Sequence, residues 1–203
     1  MDKNKEIINY PFTYNNIDKS KSYNSIYVGF DPSTKMIGWS IVSDNGELLY
    51  MESIALKDIS KDNEESLLEK FFAIEEKFLW RFWNIIEKIH YEKMFVSIEH
   101  FSYFYQATTQ KTVVALSSIN YFLQYLIRKK LEKVPTTVYA TSARKIVGII
   151  VDKKLKEDSK EKVYEYVTSR YGIQLDMTKT KRKSDGVYDA CDSVIVALSQ
   201  ISS

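Results

Sequence analysis

A chain of 203 residues, 44% of them hydrophobic, suffices for one globular domain with a full core and is too short for two of ordinary size. Lys+Arg of 29 against Asp+Glu of 27 leaves a formal net charge of only +2, so bulk charge does not mark a nucleic-acid binder. A single cysteine, Cys191, excludes an intramolecular disulfide framework and fits a reducing compartment. No apolar run approaches the ~18 residues of a membrane span, and the N-terminus lacks the apolar segment of a secretory signal. The expectation is a soluble, cytoplasmic protein with no membrane partner.

Residues 1–24 are polar and show no sustained period, which predicts an extension, partly disordered, that packs at most through Tyr10 and Phe12. A domain over 25–203 follows. Its first three β-type runs are Ile26 to Asp31, Met36 to Ser43 and Glu47 to about Leu56, with a tight Asn-Gly turn in "SDNG". Close spacing makes them an antiparallel meander. A long helix is expected next, capped by Asp62 or Asn63 and running to about Ile89. Its apolar face includes Leu67, Leu68, Phe71, Phe72, Ile74, Phe78, Phe82 and Ile86. Trp80 and Trp83 widen that face, as core or as a dimer contact, with core the preferred reading. A fourth strand, "KMFVSIEH", ends at Glu99, and the aromatic loop "FSYFYQATT" leads to a helix from about Thr109 to Glu132. "PTTVYA" at 135–140 is a fifth strand. A short helix follows, with Thr141 or Ser142 as cap, then a helix over 159–172 closed by Gly172, a basic loop "MTKTKRKSDG", and a last helix from about Asp185 to Ser199. Three antiparallel strands followed by strand–helix crossovers predict an α/β fold with a five-stranded mixed sheet flanked by helices.

Carboxylates stand out at three places. Asp31 ends the first strand, Glu99 ends the fourth, and Asp189 and Asp192 lie in the last helix. A spacing of three puts Asp189 and Asp192 on one helical face, where like charges repel unless a cation lies between them. If strands one and four are neighbours, Asp31 and Glu99 project from the same edge of the sheet. The last helix then needs only to cross that edge to gather four carboxylates. Such hard oxygens suit Mg²⁺ or Mn²⁺ and not Zn²⁺, since no Cys/His set accompanies them. Taken alone, Asp31 reads equally as a turn cap. Asp185 reads as a helix cap before it reads as a further ligand. Cys191 reads as a small buried apolar residue, His90 as a surface residue, and His100 as a neighbour of Glu99 that faces away from the site.

"VGFDPSTKMIGWSIV", "FVSIEHF" and "YDACDSVIVAL" together resemble the three acidic motifs of RuvC-type Holliday junction resolvases, in the RNase H-like superfamily. The likeness keeps order and spacing from about residue 26 to 199, although Ser33 stands where that family usually has Gly. It implies an RNase H-like fold and an endonuclease that resolves four-way DNA junctions. It makes Asp31, Glu99, Asp189 and Asp192 metal-binding catalytic carboxylates for two Mg²⁺ ions, with Mn²⁺ a substitute and Asp31 bridging. In-line attack by water would leave a 5′-phosphate. "SKEKV" resembles the family's lysine-bearing helix start, which makes Lys160 the catalytic or phosphate-contacting lysine, with Lys162 the alternative. An aromatic in the loop after Glu99, Tyr103 or Phe104, would stack on unpaired bases. Lys179, Lys181, Arg182 and Lys183 in the basic loop would contact phosphates, as would Lys111, Arg144 and Lys145. Symmetric cleavage of a junction implies a homodimer. The extension and the divergent sequence suggest a phage, viral or organellar branch, in the host-cell cytoplasm or an organelle; no helicase partner is identified. The alternatives are a related nuclease acting on other branched DNA or RNA–DNA hybrids, a non-catalytic junction-binding module, and an actin-like kinase, for which the chain is short.

Overall fold

The computed structural model describes residues 13–56, 64–101, 110–152, 157–173 and 186–201. Six strands form one sheet: β1 (Thr13–Asn15), β2 (Ser22–Pro32), β3 (Met36–Ser43), β4 (Leu48–Ala55), β5 (His90–Glu99) and β6 (Thr136–Val138). Their order across the sheet is β1-β4-β3-β2-β5-β6. The meander β2–β3–β4 is antiparallel, as its short turns require, and β5 and β6 add parallel to β2 by crossovers. The helices are α1 (Glu64–Ala73), a π-helical segment (Ile74–Phe78), α2 (Leu79–Ile86), α3 (Gln110–Leu131), α4 (Ala140–Ile146), α5 (Ser159–Tyr171) and α6 (Val187–Leu198). Among the described residues, no helix is long and apolar enough to cross a membrane.

The meander and the parallel additions match the mixed sheet expected from sequence, with one strand more. That strand, β1, lies inside the polar N-terminal segment and pairs with the edge strand β4, Thr13 opposite Glu52. Three residues carry too little pattern to announce a strand; the open edge of β4 creates it. β2 likewise begins at Ser22, four residues before its apolar run, because it pairs there with the start of β5. His90, read as a helix-end surface residue, is exposed and opens β5. Tyr10 and Phe12 lie outside the described residues, as do the cap candidates Asp62 and Asn63. Thr141 and Ser142 cap nothing: Tyr139 is the N-cap residue of α4. Gly172 closes α5 in the left-handed conformation (φ 63°), as its position suggests.

The long helix departs most from expectation. A π-helical turn interrupts it, and that wider turn keeps Ile74, Phe78 and Phe82, four residues apart, directed at the sheet. There Phe78 and Phe82 pack on Phe30 and Trp39. The same change of phase turns other side chains outward. Trp80 is 71% and Phe72 65% exposed, and Leu68 and Trp83 are exposed too, so the two tryptophans are not core. Beneath this layer Glu52 of β4 is buried. It accepts hydrogen bonds from Trp39 Nε1 (3.2 Å) and Tyr50 Oη (3.0 Å) and pairs with Arg81 of α2. The pairing satisfies a charge that burial would otherwise penalise.

Strand alternation assigns the two faces. Val28 and Phe30 of β2 point to the aromatic layer under α1–α3, and Tyr27 points to the opposite layer, under α4–α6. On that second face the sheet presents small residues to α6: Gly29, Gly38 and Ser97. A β-carbon at Gly38 would land on the backbone carbonyl of Asp189, and one at Gly29 on that of Ser193. Ser97 Oγ bonds the carbonyls of Val28 and Val196, both at 3.2 Å, tying sheet to helix. On α6 the facing residues are themselves small, Ala190, Ser193 and Ala197. Helix and sheet backbones therefore nearly touch.

This contact yields a prediction. Gly38→Ala forces α6 off the sheet and destabilises the fold by about 3 kcal/mol or more. Gly148→Ala, with open space around its β-carbon but φ at +85°, costs only about 1 kcal/mol. Paired urea melts check the difference.

Candidate active site

Asp31 is the penultimate residue of β2 and Glu99 the last of β5. The strands are parallel neighbours with Phe30 opposite Ile98, so the next residue on each, the carboxylate, leaves the sheet at the same end. Across the other edge of β2, Asp31 pairs with Gly38, the residue against which the backbone of Asp189 rests. The close approach of α6 thus delivers Asp189 to the strand next to Asp31, and Asp192 follows one turn later, buried. The turn between β2 and β3 is held by Ser33. Its hydroxyl accepts from the Met36 N–H (3.0 Å) and bonds the Met36 carbonyl (3.0 Å). A hydroxyl-braced turn therefore does here what a glycine would do by conformational freedom.

The four acids feel one another. Burial pushes the Asp31 carboxyl well above the usual range, and the charges of Glu99, Asp192 and Asp189 push it further. Burial likewise raises Glu99, to about 7, with Asp192 adding to it while Arg144 and Lys160 oppose. Burial raises Asp192 also, against the pull of Arg144 and Lys160. Asp189 contributes to all three. Among the described residues, no three His, Cys, Asp or Glu side chains close into a ready-made ion cage. Arg144 and Lys160 offset part of the repulsion. In kind, the donor set fits a hard divalent cation: the converging groups are carboxylates, and Cys191 is a buried core residue.

Two cations face the acids. Arg144 of α4 reaches Asp192, Nη2 to Oδ1 at 3.5 Å, and its buried Nε has no hydrogen-bond partner. Sequence reading ranked Arg144 only as a minor phosphate contact. The signal for more was indirect: buried acids require a cation, and α4 follows the strand beside Glu99. Lys160 lies in the first turn of α5, where Asp158 accepts its backbone N–H at 2.9 Å. Its ammonium sits over the Tyr188 ring, 5.9 Å from the centroid. The alternative, Lys162, turns away and pairs with Glu157 at 3.0 Å. A cavity of about 350 Å³ opens beside Arg144, lined also by Thr141, Glu157 and Ser159.

The remaining expectations divide. Lys145 and Lys111 are exposed on α4 and α3. His100 stacks on Phe101 and Tyr139. Tyr103, Phe104, Lys179, Lys181, Arg182, Lys183 and Asp185 lie outside the described residues.

No family model matches the chain, and no curated protein matches its sequence. Its structure is similar to that of T. thermophilus RuvC, solved in complex with a Holliday junction substrate. The two share 15% identity with a TM-score of 0.54, over 86% of this chain and 93% of the other. At that identity the likeness is one of architecture, and it shows that this chain has a RuvC-like fold of the RNase H type.

Proposed function

We propose that the protein is a divalent-metal-dependent endonuclease that cuts branched DNA, four-way junctions first among them. The observation that carries this reading is the gathering of Asp31, Glu99, Asp189 and Asp192 at one end of a RuvC-like sheet, with Lys160 and Arg144 beside them. The four carboxylates would hold two Mg²⁺ ions, or Mn²⁺ in their place, which activate a water and stabilise the leaving oxygen of a phosphodiester. The chain's own part is to bind and orient the DNA. Lys160, with its backbone fixed by the Asp158 cap, offers a positive charge to a phosphate near the acids. Arg144 offers a second, toward the cavity it lines. Two cuts placed symmetrically in a junction require two sites, and the exposed Leu68, Phe72, Trp80 and Trp83 support a face for a second copy.

The deciding test incubates the protein with a four-way junction, a linear duplex, a flap and an RNA–DNA hybrid, with Mg²⁺ or EDTA. Cleavage of the junction in Mg²⁺ alone is expected, with Asp31→Asn slower by on the order of 10³-fold. An intact junction beside a cut hybrid or flap moves the substrate elsewhere, and equal cleavage by Asp31→Asn removes the acidic site from the chemistry.

Salt dependence separates the two lysines. Lys160→Ala lowers the slope of log affinity against log salt by about 1, and Lys162→Ala leaves it unchanged, as filter binding at graded salt reads directly.

Stability carries a pH signature. Glu99 titrates near 7 when folded, above the ordinary 4.5. The folded state therefore holds protons that the unfolded chain releases between those values, and stability falls as pH rises through that window. Asp31 and Asp192 shift in the same direction. In EDTA, thermal melts give a lower Tm at pH 8 than at pH 5.5. Both Asp31→Asn and added Mg²⁺ raise it at pH 8, and by much less at pH 5.5. A Tm that climbs with pH over this range would contradict the acidic cluster.

A further inference from the structure

The two strands that end in acids lack a rung between them. Phe30 of β2 lies opposite Ile98 of β5, and the parallel register ends with that pair. Two hydrogen bonds fix which way the backbone faces beyond it. The His100 N–H donates to the Val138 carbonyl at 2.8 Å, so residue 100 faces β6, and Glu99, one residue earlier, turns its carbonyl toward β2. The Ser33 N–H donates to the Met36 carbonyl at 2.8 Å, so residue 33 faces β3, and Pro32 turns its nitrogen toward β5. The donor due next in the ladder is therefore Pro32, which has no N–H. The Glu99 carbonyl is left without a strand partner, beside both the acid that closes β5 and the acid that precedes Pro32.

A side chain takes that place. Asn120 of α3 is 1% exposed, and its Nδ2 donates to the Glu99 carbonyl at 2.8 Å. One turn on, Gln124 Nε2 donates to Asn120 Oδ1 at 2.7 Å. An amide whose oxygen is engaged in this way presents its NH2 to Glu99. The helix neighbours Ile119 and Leu123 belong to the apolar core under α1–α3, where an amide with unpaired groups would be costly. Alternation along β5 puts the Glu99 side chain on the face of Ser97, which bonds α6. The backbone of Glu99 is thus gripped by α3 from one face of the sheet, while its carboxylate feels Asp192 of α6 on the other.

We propose that Asn120, oriented by Gln124, is a positioning residue for Glu99: it stands in for the rung that Pro32 removes and fixes the end of β5 next to Asp31. The proposal rests on the metal-dependent nuclease reading above and adds to it the support of one of its carboxylates. Asn120 acts through Glu99 and not on the metal or the DNA. An ordinary rung would tie the two strand ends to each other. With Pro32 in its place, the spacing of Asp31 and Glu99 depends on a helix from the opposite face. Carboxylates that share divalent cations need that spacing held by the groups behind them.

The test uses the full chain and reads metal binding apart from catalysis. Free Mn²⁺ is followed by electron paramagnetic resonance, junction binding by filter retention in EDTA, and cleavage under single turnover. Asn120→Leu binds Mn²⁺ about 10- to 100-fold more weakly and cuts more slowly by a similar factor, with junction binding in EDTA unchanged. Gln124→Met, which removes only the brace, shifts both in the same direction and carries the test should Asn120→Leu fail to fold. Pro32→Ala returns an N–H to the ladder. Added to either variant, it recovers most of the Mn²⁺ affinity; added to Leu123→Ala, which loosens α3 without touching Glu99, it recovers none. Wild-type Mn²⁺ affinity in both amide variants, or a loss that Pro32→Ala does not repair, overturns the positioning role and leaves the nuclease reading in place. A wild-type protein whose Mn²⁺ affinity depends on Asn120 but which cuts no branched DNA supports the positioning role and overturns the substrate reading. A wild-type protein that binds no Mn²⁺ overturns both.

Discussion

The near-contact of α6 with β2 and β3 is the constraint on which the rest depends. Two missing side chains, at Gly29 and Gly38, allow the helix backbone to lie against the strand backbones. Ordinary helix–sheet packing keeps the layers about 10 Å apart, with side chains filling the gap. Here Ala190, Ser193 and Ala197 fill it from the helix, and Gly29, Gly38 and Ser97 from the sheet. Closer layers bring acids on the helix and acids on the strand ends within electrostatic reach of one another. The glycines matter to the proposed chemistry although none of their atoms needs to touch the DNA.

Gathering charge in this way works against the fold. Asp31, Glu99 and Asp192 each favour the protonated form more than a free carboxyl does, chiefly because they are buried and further because they repel one another. Arg144 and Lys160 offset part of that cost. The opposing stability comes from the other face, where Phe30, Trp39, Phe78 and Phe82 interlock with no titratable group among them. Even the buried acid near that layer, Glu52, is satisfied by three donors. The two faces thus divide the labour: one is packed for stability, and the other tolerates strain in its charges.

Much of this was legible in the chain. The alternation of β2, the turn after Asp31 and the ending of β5 on Glu99 are local patterns, and local patterns survive reading in one dimension. So did the pairing of Asp189 with Asp192, which helical spacing alone imposes. What escaped is set between elements. The edge strand β1 exists only because β4 offers an unpaired edge. The π-helical turn follows from fitting Ile74, Phe78 and Phe82 to a sheet whose shape the helix does not encode. Arg144 could be named as basic, but its pairing with Asp192 depends on how α4 meets α6. The role of Gly29 and Gly38 was hidden for the same reason, since a glycine in a strand looks like a weakness until the partner backbone is in view.

The arrangement also bears on how a cut would be aimed. The four acids sit at a sheet end, so they can approach a phosphate only from one direction. Lys160 approaches from α5, through a first turn whose backbone is capped by Asp158. Arg144 approaches from α4, on the helix that Tyr139 begins. In the proposed reading, three parts with independent supports would meet one strand of nucleic acid: the sheet end with its carboxylates, α5 with Lys160 and α4 with Arg144. Grips of this kind would act on backbone phosphate, which a linear duplex offers along its whole length. A preference for branch points would then have to come from the shape of the strand that reaches all three together.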